Sequence, residues 1–230
     1  MVIERIIEQV KAANWSVVVI ELLVVFVGVY GAFQLERWGE DRREARYERT
    51  LLEQLHGEIA LAVPLMEYQV SSKTETESGI EEVATLLMQP PGSGDFSPEQ
   101  CDNIFDVSIM LHSPLTLISL DELTSSGVHS QLDDHQLRTL LFTLKSRSQQ
   151  VESLIRYIGP NMITLMDEYP ELMPRGVGAE GATFMHCHAD GMRNSQAFIN
   201  HLMSNYGRQR GVLARLEREF EALVQVHTRL

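Results

Sequence analysis

The stretch FMHCHADG, residues 184–191, holds the side chains best suited to metal chemistry. Imidazole and thiolate groups are the ligands that zinc prefers, and His186, Cys187 and His188 supply them with Asp190 close by. Zinc sites usually separate paired ligands by two to four residues, whereas these three are adjacent. The pattern is a weak indication of a metal-dependent enzyme. A turn in which Cys187 is buried or disulfide-bonded is the simpler interpretation.

Other catalytic signatures are missing from the sequence. It contains no G-x-S-x-G serine nucleophile motif, and GVGAEG is not followed by the Lys-Ser/Thr of a phosphate-binding loop. No pair of carboxylates is placed at a defined separation for acid–base work. We therefore predict no catalytic residue, no cofactor and no small-molecule substrate.

Cys101 and Cys187 are the chain's two cysteines. A disulfide between them would close a loop of 86 residues. In the chain-entropy model such a loop contributes about 4 kcal/mol to stability. The bond would persist only in an oxidising compartment.

The elements that must position these groups begin with NWSVVVIELLVVFVGVYGAFQLERW, residues 14–38. As an α-helix, the chain from Trp15 to Trp38 is about 35 Å long, and a bilayer's hydrocarbon core is about 30 Å thick. The two Trp would lie near the two interfaces, where indole rings are enriched. No cleavage site follows the segment. Residues 15–38 are thus predicted to be a single transmembrane helix, with the lipid bilayer as a partner.

Glu21 interrupts this apolar segment. It shares a helix face with Gly28 and Ala32, a small-xxx-small pair that lets two backbones approach closely in lipid. Glu21 would then face another helix. It could be a protonated packing residue, a contact to a different membrane protein, or part of a proton- or ion-conducting ring.

The rest of the chain predicts an all-α fold, in which the membrane helix continues into an extramembrane helical bundle. Residues 1–13 form an amphipathic pattern typical of an interfacial helix. Residues 39–230 form the extramembrane domain. Its predicted segments are a long helix over about 39–70 that Pro64 bends or breaks, a helix over about 74–88, a loop over about 89–97 and a looser segment over about 171–182.

Several helix ends carry capping signals. Ser97 and Pro98 would start a helix that reaches about Leu111, and Asp133 or Asp134 would cap another. Ser119 and Glu122 have capping-box spacing, with Gly127 as the stop. The final two helices are predicted over about 192–206 and 208–230.

Two stretches resemble a known family: NWSVVVIELLVVFVGVYGAFQLERWGEDRREARYERTLLEQLHGEI and SLDELTSSGVHSQLDDHQLRTLL. They are similar to a widespread group of uncharacterised bacterial single-pass membrane proteins that carry a domain of unknown function. The matching positions are Glu21, Gly28, Trp38, Glu122, Leu123, Ser126, Gly127, Asp134, Leu137 and Arg138. The resemblance covers about residues 5–60 and 119–145. It implies this architecture in a bacterial inner membrane, and no activity.

The charge distribution limits the kinds of partner, and it bears on the side of the membrane on which the domain lies. A net charge of -13 argues against nucleic acid. More Arg and Lys follow the anchor than precede it, which favours a cytoplasmic domain by the positive-inside rule. The short N-terminal tail and the two cysteines favour the periplasm instead, and we expect the domain there.

We therefore expect a membrane-anchored helical protein that self-associates and acts as an interaction or scaffold module. The first alternative is an accessory subunit of a larger membrane complex, in which Glu21 contacts a partner helix. The second is a metal-dependent enzyme that uses His186, Cys187 and His188.

Overall fold

The computed structural model describes residues 15–109, 115–177 and 183–230. The chain divides into two compact units, Met1–Thr50 and Leu51–Leu230. The interfacial helix predicted for residues 1–13 lies outside the described residues, as does the side chain of Trp15. Part of the predicted looser segment, residues 178–182, lies outside them too.

The first unit is described from residue 15 onward and is helical throughout that part. Its helix α1 spans Trp15–Leu87, so its first 36 residues belong to this unit. Every large apolar side chain from Val19 to Leu35 is more than half exposed. Within the described residues, α1 is the one helix long and apolar enough to cross a membrane.

The second unit is all-α, as predicted. After α1 come helices α2 (Pro98–Asp106), α3 (Ile118–Ser125), α4 (His135–Ile158), α5 (Leu165–Glu168), α6 (Ala189–Asn194) and α7 (Gln196–Arg229). Single 3₁₀ turns cover Val128–Ser130 and Gly159–Asn161. Two short strands, β1 (Arg175–Val177) and β2 (Thr183–Met185), pair antiparallel with Gly176 opposite Phe184. These strands had no counterpart in the sequence prediction.

Two predicted helix breaks are wrong. The helix expected to end near residue 70 continues through Pro64 to Leu87, and α7 continues through Gly207. Proline removes a single intrahelical donor, and glycine costs a helix about 1 kcal/mol relative to alanine. Burial on both sides of each position outweighs these costs, since most helical stability in proteins comes from tertiary packing.

The predicted apolar stripes form the core. One cluster joins α1, α3, α4 and α7 around Leu55, Ile59, Leu123, Leu141 and Leu223. A second joins the end of α1 to α2, α6 and α7 around Ile80, Ile104, Met192 and Phe198, and a smaller third lies between α4 and α7. Most exposed positions of these helices are polar or charged, although Leu61, Phe142 and Tyr157 are exposed too, and this division explains how one chain can carry both a core and many acids.

Capping residues mark the ends of several helices. Ser97 and Gln100 form a reciprocal capping box at α2, Asp134 caps α4, and Gly127 follows α3 with φ of 80°. Two expectations are wrong. Helix α2 ends at Asp106 instead of near Leu111, and Leu117 occupies the N-cap position of α3 instead of Ser119.

Candidate functional site

The membrane-compatible stretch of α1 presents Glu21, Gly28 and Ala32 on one face, because separations of seven and four residues are about two turns and one turn. Glu21 and Ala32 are exposed. A Cβ atom added at Gly28 would meet nothing within 4 Å. The face is therefore open to a second helix.

Two other pairs of side chains in or next to this stretch have contacts within the helix. The Gln34 amide donates to the Tyr30 hydroxyl at 2.8 Å. The Arg42 guanidinium lies 3.8 Å from the centroid of the Trp38 ring, a cation–π contact that leaves the guanidinium near the position expected for lipid headgroups. Glu21 has no such partner in the part of the chain that the structure describes.

Cys101 and Cys187 are joined in a disulfide, with their Cα atoms 5.8 Å apart. Both are buried in the cluster that contains Phe198, and the bond ties α2 to the segment between β2 and α6. A disulfide sulfur is not the thiolate that metals bind. His186 and His188 are exposed, and their ring centroids are 4.9 Å apart. No group of three potential metal ligands converges among the described residues, so the His186–Cys187–His188 set is not assembled there.

Arg193 fastens the end of α1 to the following loop. Its side chain is 2% exposed and donates to the Leu86 and Gly94 carbonyls at 3.2 and 2.7 Å, and to Asp190 at 2.9 Å. Asp190 also accepts from the Gly92 amide, and these two contacts lower its pKa. Because carbonyls at a helix C-terminus carry partial negative charge, the guanidinium is well placed there.

A cleft of the second unit lies between α1 and α2 and has a volume of about 610 Å³. We call it the α1–α2 cleft. The side chains that line it end in oxygen or amide groups and include four carboxylates, Glu75, Glu82, Glu99 and Asp106. No Lys or Arg is among them. A smaller hollow of about 160 Å³ shares Ser72, Thr76 and Asp106 with the cleft and is bounded by Gln69, Lys73 and Leu216.

Lys73 and Asp106 are the charged pair at this junction. Burial lowers the pKa of the Lys73 ammonium, and the Asp106 charge partly opposes that shift. Burial also raises the pKa of the Asp106 carboxyl, with Lys73 opposing the shift and Asp102 adding to it. The two groups influence each other without forming an ion pair within 4 Å.

Glu219 is a separate buried carboxyl on α7. It is 1% exposed, and burial raises its pKa to about 7. One carboxylate oxygen has no hydrogen-bond partner among the described residues, and its neighbour on α4 is the hydroxyl of Ser148. A carboxyl in this position is stable in its neutral form.

The sequence predicted the long apolar helix and the cysteine pair, and missed the α1–α2 cleft, Arg193 and Glu219. Lys73 offered one signal, since it is a cation in an acidic segment that also contains Glu75 and Glu77. Asp106, Arg193 and Glu219 offered none, because each depends on contacts with residues far away in the chain.

No family model matches this chain, and no curated protein or solved structure is significantly similar to it. Its function must therefore be argued from its own residues.

Proposed function

We propose that this protein is a single-pass membrane protein that self-associates through its anchor and presents a helical interaction domain, residues 51–230, on the periplasmic side of a bacterial inner membrane. It would be a member of the family of domain-of-unknown-function proteins that its sequence resembles. The observation that carries the proposal is the exposed apolar stretch from Val19 to Leu35.

This stretch contrasts with the chain's own second unit. There, residues such as Leu55, Ile59 and Phe198 are fully buried. Burial of one large apolar side chain is worth about 1.5–3 kcal/mol, so a dozen such side chains left in water would be strongly unfavourable. A bilayer covers such a stretch, and Trp38 with Arg42 fits the interface at its end.

Self-association is supported by the open face at Gly28 and Ala32. In lipid, helices associate through close packing and interhelical hydrogen bonds, and small residues allow both. Glu21, without a partner in the described residues, supplies a group that gains from such a bond. A neutral Glu21 donating to a second copy would lower the cost of its place in the membrane.

The disulfide supports the periplasmic side. Structural disulfides persist in the bacterial periplasm and are rare in the cytosol. The Arg residues that follow the anchor argue the other way. We give the disulfide more weight, because its two sulfur atoms meet in a buried core.

The test of self-association compares Gly28→Ile and Ala32→Ile with Leu23→Ile. The control also introduces Ile, on the opposite side of the helix, because Leu23 lies about 160° around the axis from the centre of the pair. Chemical crosslinking in native membranes should yield oligomers for the wild type and the control, and mainly monomers for the two variants. Equal oligomer yield in all four proteins would refute the proposal.

A second candidate is an accessory subunit whose Glu21 bonds to a different membrane protein, and the unpartnered carboxyl favours it equally. Affinity purification of wild type, Glu21→Gln and Glu21→Leu from mild detergent distinguishes the two. Self-association predicts the tagged chain and untagged copies of itself. The accessory role predicts a defined second protein that is lost in Glu21→Leu.

The side of the membrane is tested with a membrane-impermeant maleimide on intact cells. We expect labelling of Cys101 and Cys187 to appear only after reduction and partial unfolding, without lysis. Labelling that requires lysis and needs no reductant would place the domain in the cytoplasm.

A further inference from the structure

The part of α1 that follows the apolar stretch separates its charges onto two sides of the helix, within the first unit. At about 100° per residue, four arginines fall within an arc of about 120°. They are Arg42, Arg43, Arg46 and Arg49. Five acids occupy the other side, within an arc of about 140°. They are Glu36, Glu40, Asp41, Glu44 and Glu48. We call the two sets the arginine face and the acidic face.

The two faces do not neutralise each other. All four guanidinium groups of the arginine face are on exposed residues, and none of them forms an ion pair within 4 Å in the described part of the chain. Glu40, Glu44 and Glu48 follow one another at four-residue intervals. Arg42 and Arg46 have the same spacing. Like charges four residues apart destabilise a helix, whereas opposite charges at that spacing stabilise it. The separation is unfavourable for the isolated helix and favours an anionic partner on the arginine face.

The guanidinium groups of this face point back toward the apolar stretch. Helical side chains lean toward the helix N-terminus, which on α1 is the direction of that stretch. The Arg46 Nε group donates to the Arg42 carbonyl at 3.1 Å, one turn nearer the stretch. The Arg42 guanidinium in turn lies 3.8 Å from the centroid of the Trp38 ring. The first positive charges of the face therefore lie beside the aromatic ring that ends the apolar stretch.

Distance along the helix favours a partner at the membrane surface. Arg46 lies eight residues after Trp38, or about 12 Å along the axis, and Arg49 lies about 16 Å along it. The headgroup layer adds about 5–7 Å to each side of the hydrocarbon core. Negative lipid charge acts over a further Debye length of about 10 Å at 0.1 M salt. The whole arginine face is within reach of that charge if Trp38 lies at the interface.

A second copy of the chain suits the arginine face less well. Copies anchored with the same orientation run parallel, and a symmetric pair brings the same surface of each copy together. Arginine would then face arginine. Anionic phospholipids attract basic segments next to a membrane helix, and the guanidinium group matches the geometry of a phosphate. Lipid headgroups are therefore the partner that the charge pattern favours.

We infer that the arginine face binds the headgroups of anionic phospholipids in the leaflet where α1 leaves the membrane, with the acidic face turned to water. The inference rests on the proposed membrane anchor. It is independent of self-association and of the side of the membrane on which the second unit lies. Binding on one face determines which side of α1 is turned to the bilayer surface.

The test measures which lipids surround Trp38 in vesicles. Trp15→Phe makes Trp38 the single Trp of the full-length protein, which is reconstituted into mixed phosphatidylcholine and phosphatidylglycerol vesicles. Bromination of one lipid or the other, and the resulting quenching of Trp38 fluorescence, gives the relative affinity for the two headgroups. At about 0.1 M salt we expect at least a fivefold preference for phosphatidylglycerol. Salt at about 0.5 M should lower it below twofold, because it screens the charges.

Variants of the arginine face should lose this preference. Arg43→Gln, Arg46→Gln and Arg49→Gln combined should lower it below twofold, whereas Lys at the same three positions should keep it above threefold. Arg42 stays unchanged in both variants, because its contact with Trp38 affects the fluorophore itself.

The matched control combines Glu40→Gln, Glu44→Gln and Glu48→Gln. It removes three charges from the acidic face over the same length of helix. A helix is about 10–12 Å across, which is comparable to the Debye length, so the preference should change less than twofold. Circular dichroism of each variant checks that α1 remains helical.

Two results would overturn the inference alone. One is equal quenching of the wild type by the two brominated lipids. The other is an increase in the acidic-face variant as large as the decrease in the arginine-face variant, since the net charge of the segment would then set the preference. Absence of quenching by either lipid would show that α1 does not enter the bilayer. That result would overturn the proposed membrane anchor together with the inference.

Discussion

Glu21 and Glu219 both lie on apolar helix faces, one in each unit. Their surroundings differ, because the first unit leaves its apolar side chains exposed and the second unit buries them. Glu21 lies among side chains that are more than half exposed, whereas Glu219 is 1% exposed among α7 residues that pack into the core. The apolar side chains of the second unit pack against one another, and this packing determines which polar groups are isolated from water. The stretch around Glu21 has no protein cover in the described residues, and lipid or a second chain is the cover that we propose for it. Stability of the domain should therefore depend on the second unit alone.

The largest effect is expected from Phe198→Ala. Phe198 is fully buried and packs edge-on against Tyr169, so its truncation should cost the second unit about 3–5 kcal/mol. Phe33→Ala makes the same change in the exposed apolar stretch and should leave the domain's unfolding midpoint unchanged. Circular dichroism melts in detergent measure both. A similar loss in both variants would break the comparison between the units.

Removing the disulfide should come next. Cys101→Ala with Cys187→Ala frees an 86-residue loop, which costs about 4 kcal/mol in the chain-entropy model. Urea unfolding of this variant should match that of the reduced wild type, since both lack the same bond. If reduction does not lower the urea midpoint of the wild type, the disulfide does not stabilise the domain by constraining the unfolded chain.

Glu219 gives the domain a pH dependence of definite sign. Its pKa is raised from 4.5 to about 7 in the folded state, so the folded protein holds a proton that the unfolded chain releases first. This contribution to stability is full below pH 4.5 and is lost as pH rises through about 7. At roughly 1.4 kcal/mol per pKa unit, the loss is about 3–4 kcal/mol.

Glu219→Gln should remove that decrease in stability with rising pH. Relative to wild type, the variant should gain about 3 kcal/mol of stability between pH 4 and pH 8, whatever its constant offset. Glu221→Gln changes an exposed carboxyl two residues away and should run parallel to wild type. Parallel curves for Glu219→Gln as well would show that Glu219 ionises normally.

The smallest effect concerns a helix cap. Ser195 accepts a hydrogen bond from the Phe198 amide at the start of α7. Ser195→Ala should cost about 1 kcal/mol. Ser204→Ala, in the exposed interior of the same helix, should be neutral or slightly stabilising. A loss of equal size at both positions would assign the effect to serine removal and not to capping.

The sequence could predict what depends on neighbouring residues. The stripes of α4 and α7 follow from three- and four-residue spacing, and the N-caps at Ser97 and Asp134 follow from the residues beside them; all are present. Ser119 shows where this reasoning fails. Its amide and hydroxyl donate to the Glu58 carboxylate on α1, so the helix starts at Ile118 with Leu117 as its N-cap, and the local capping signal is overridden.

The cleft was not predicted, and the two helix breaks were predicted wrongly, for the same reason. Pro64 and Gly207 are local helix breakers, and long-range packing outweighs them. At Gly79, a Cβ atom would lie 2.1 Å from the Asn103 amide nitrogen, so this glycine permits the close approach of α1 and α2. Nothing in the local sequence distinguishes it from a flexible residue.

In the membrane-anchored protein that we propose, the Cys101–Cys187 bond would also determine which fragments a protease releases. The backbone between these residues includes α3, α4, α5 and both strands. A single cut anywhere along residues 102–186 leaves two fragments joined through sulfur, with α7 still attached to the anchor. Shedding of the domain needs a cut before Cys101, and the loop at residues 88–97 is the exposed connection there.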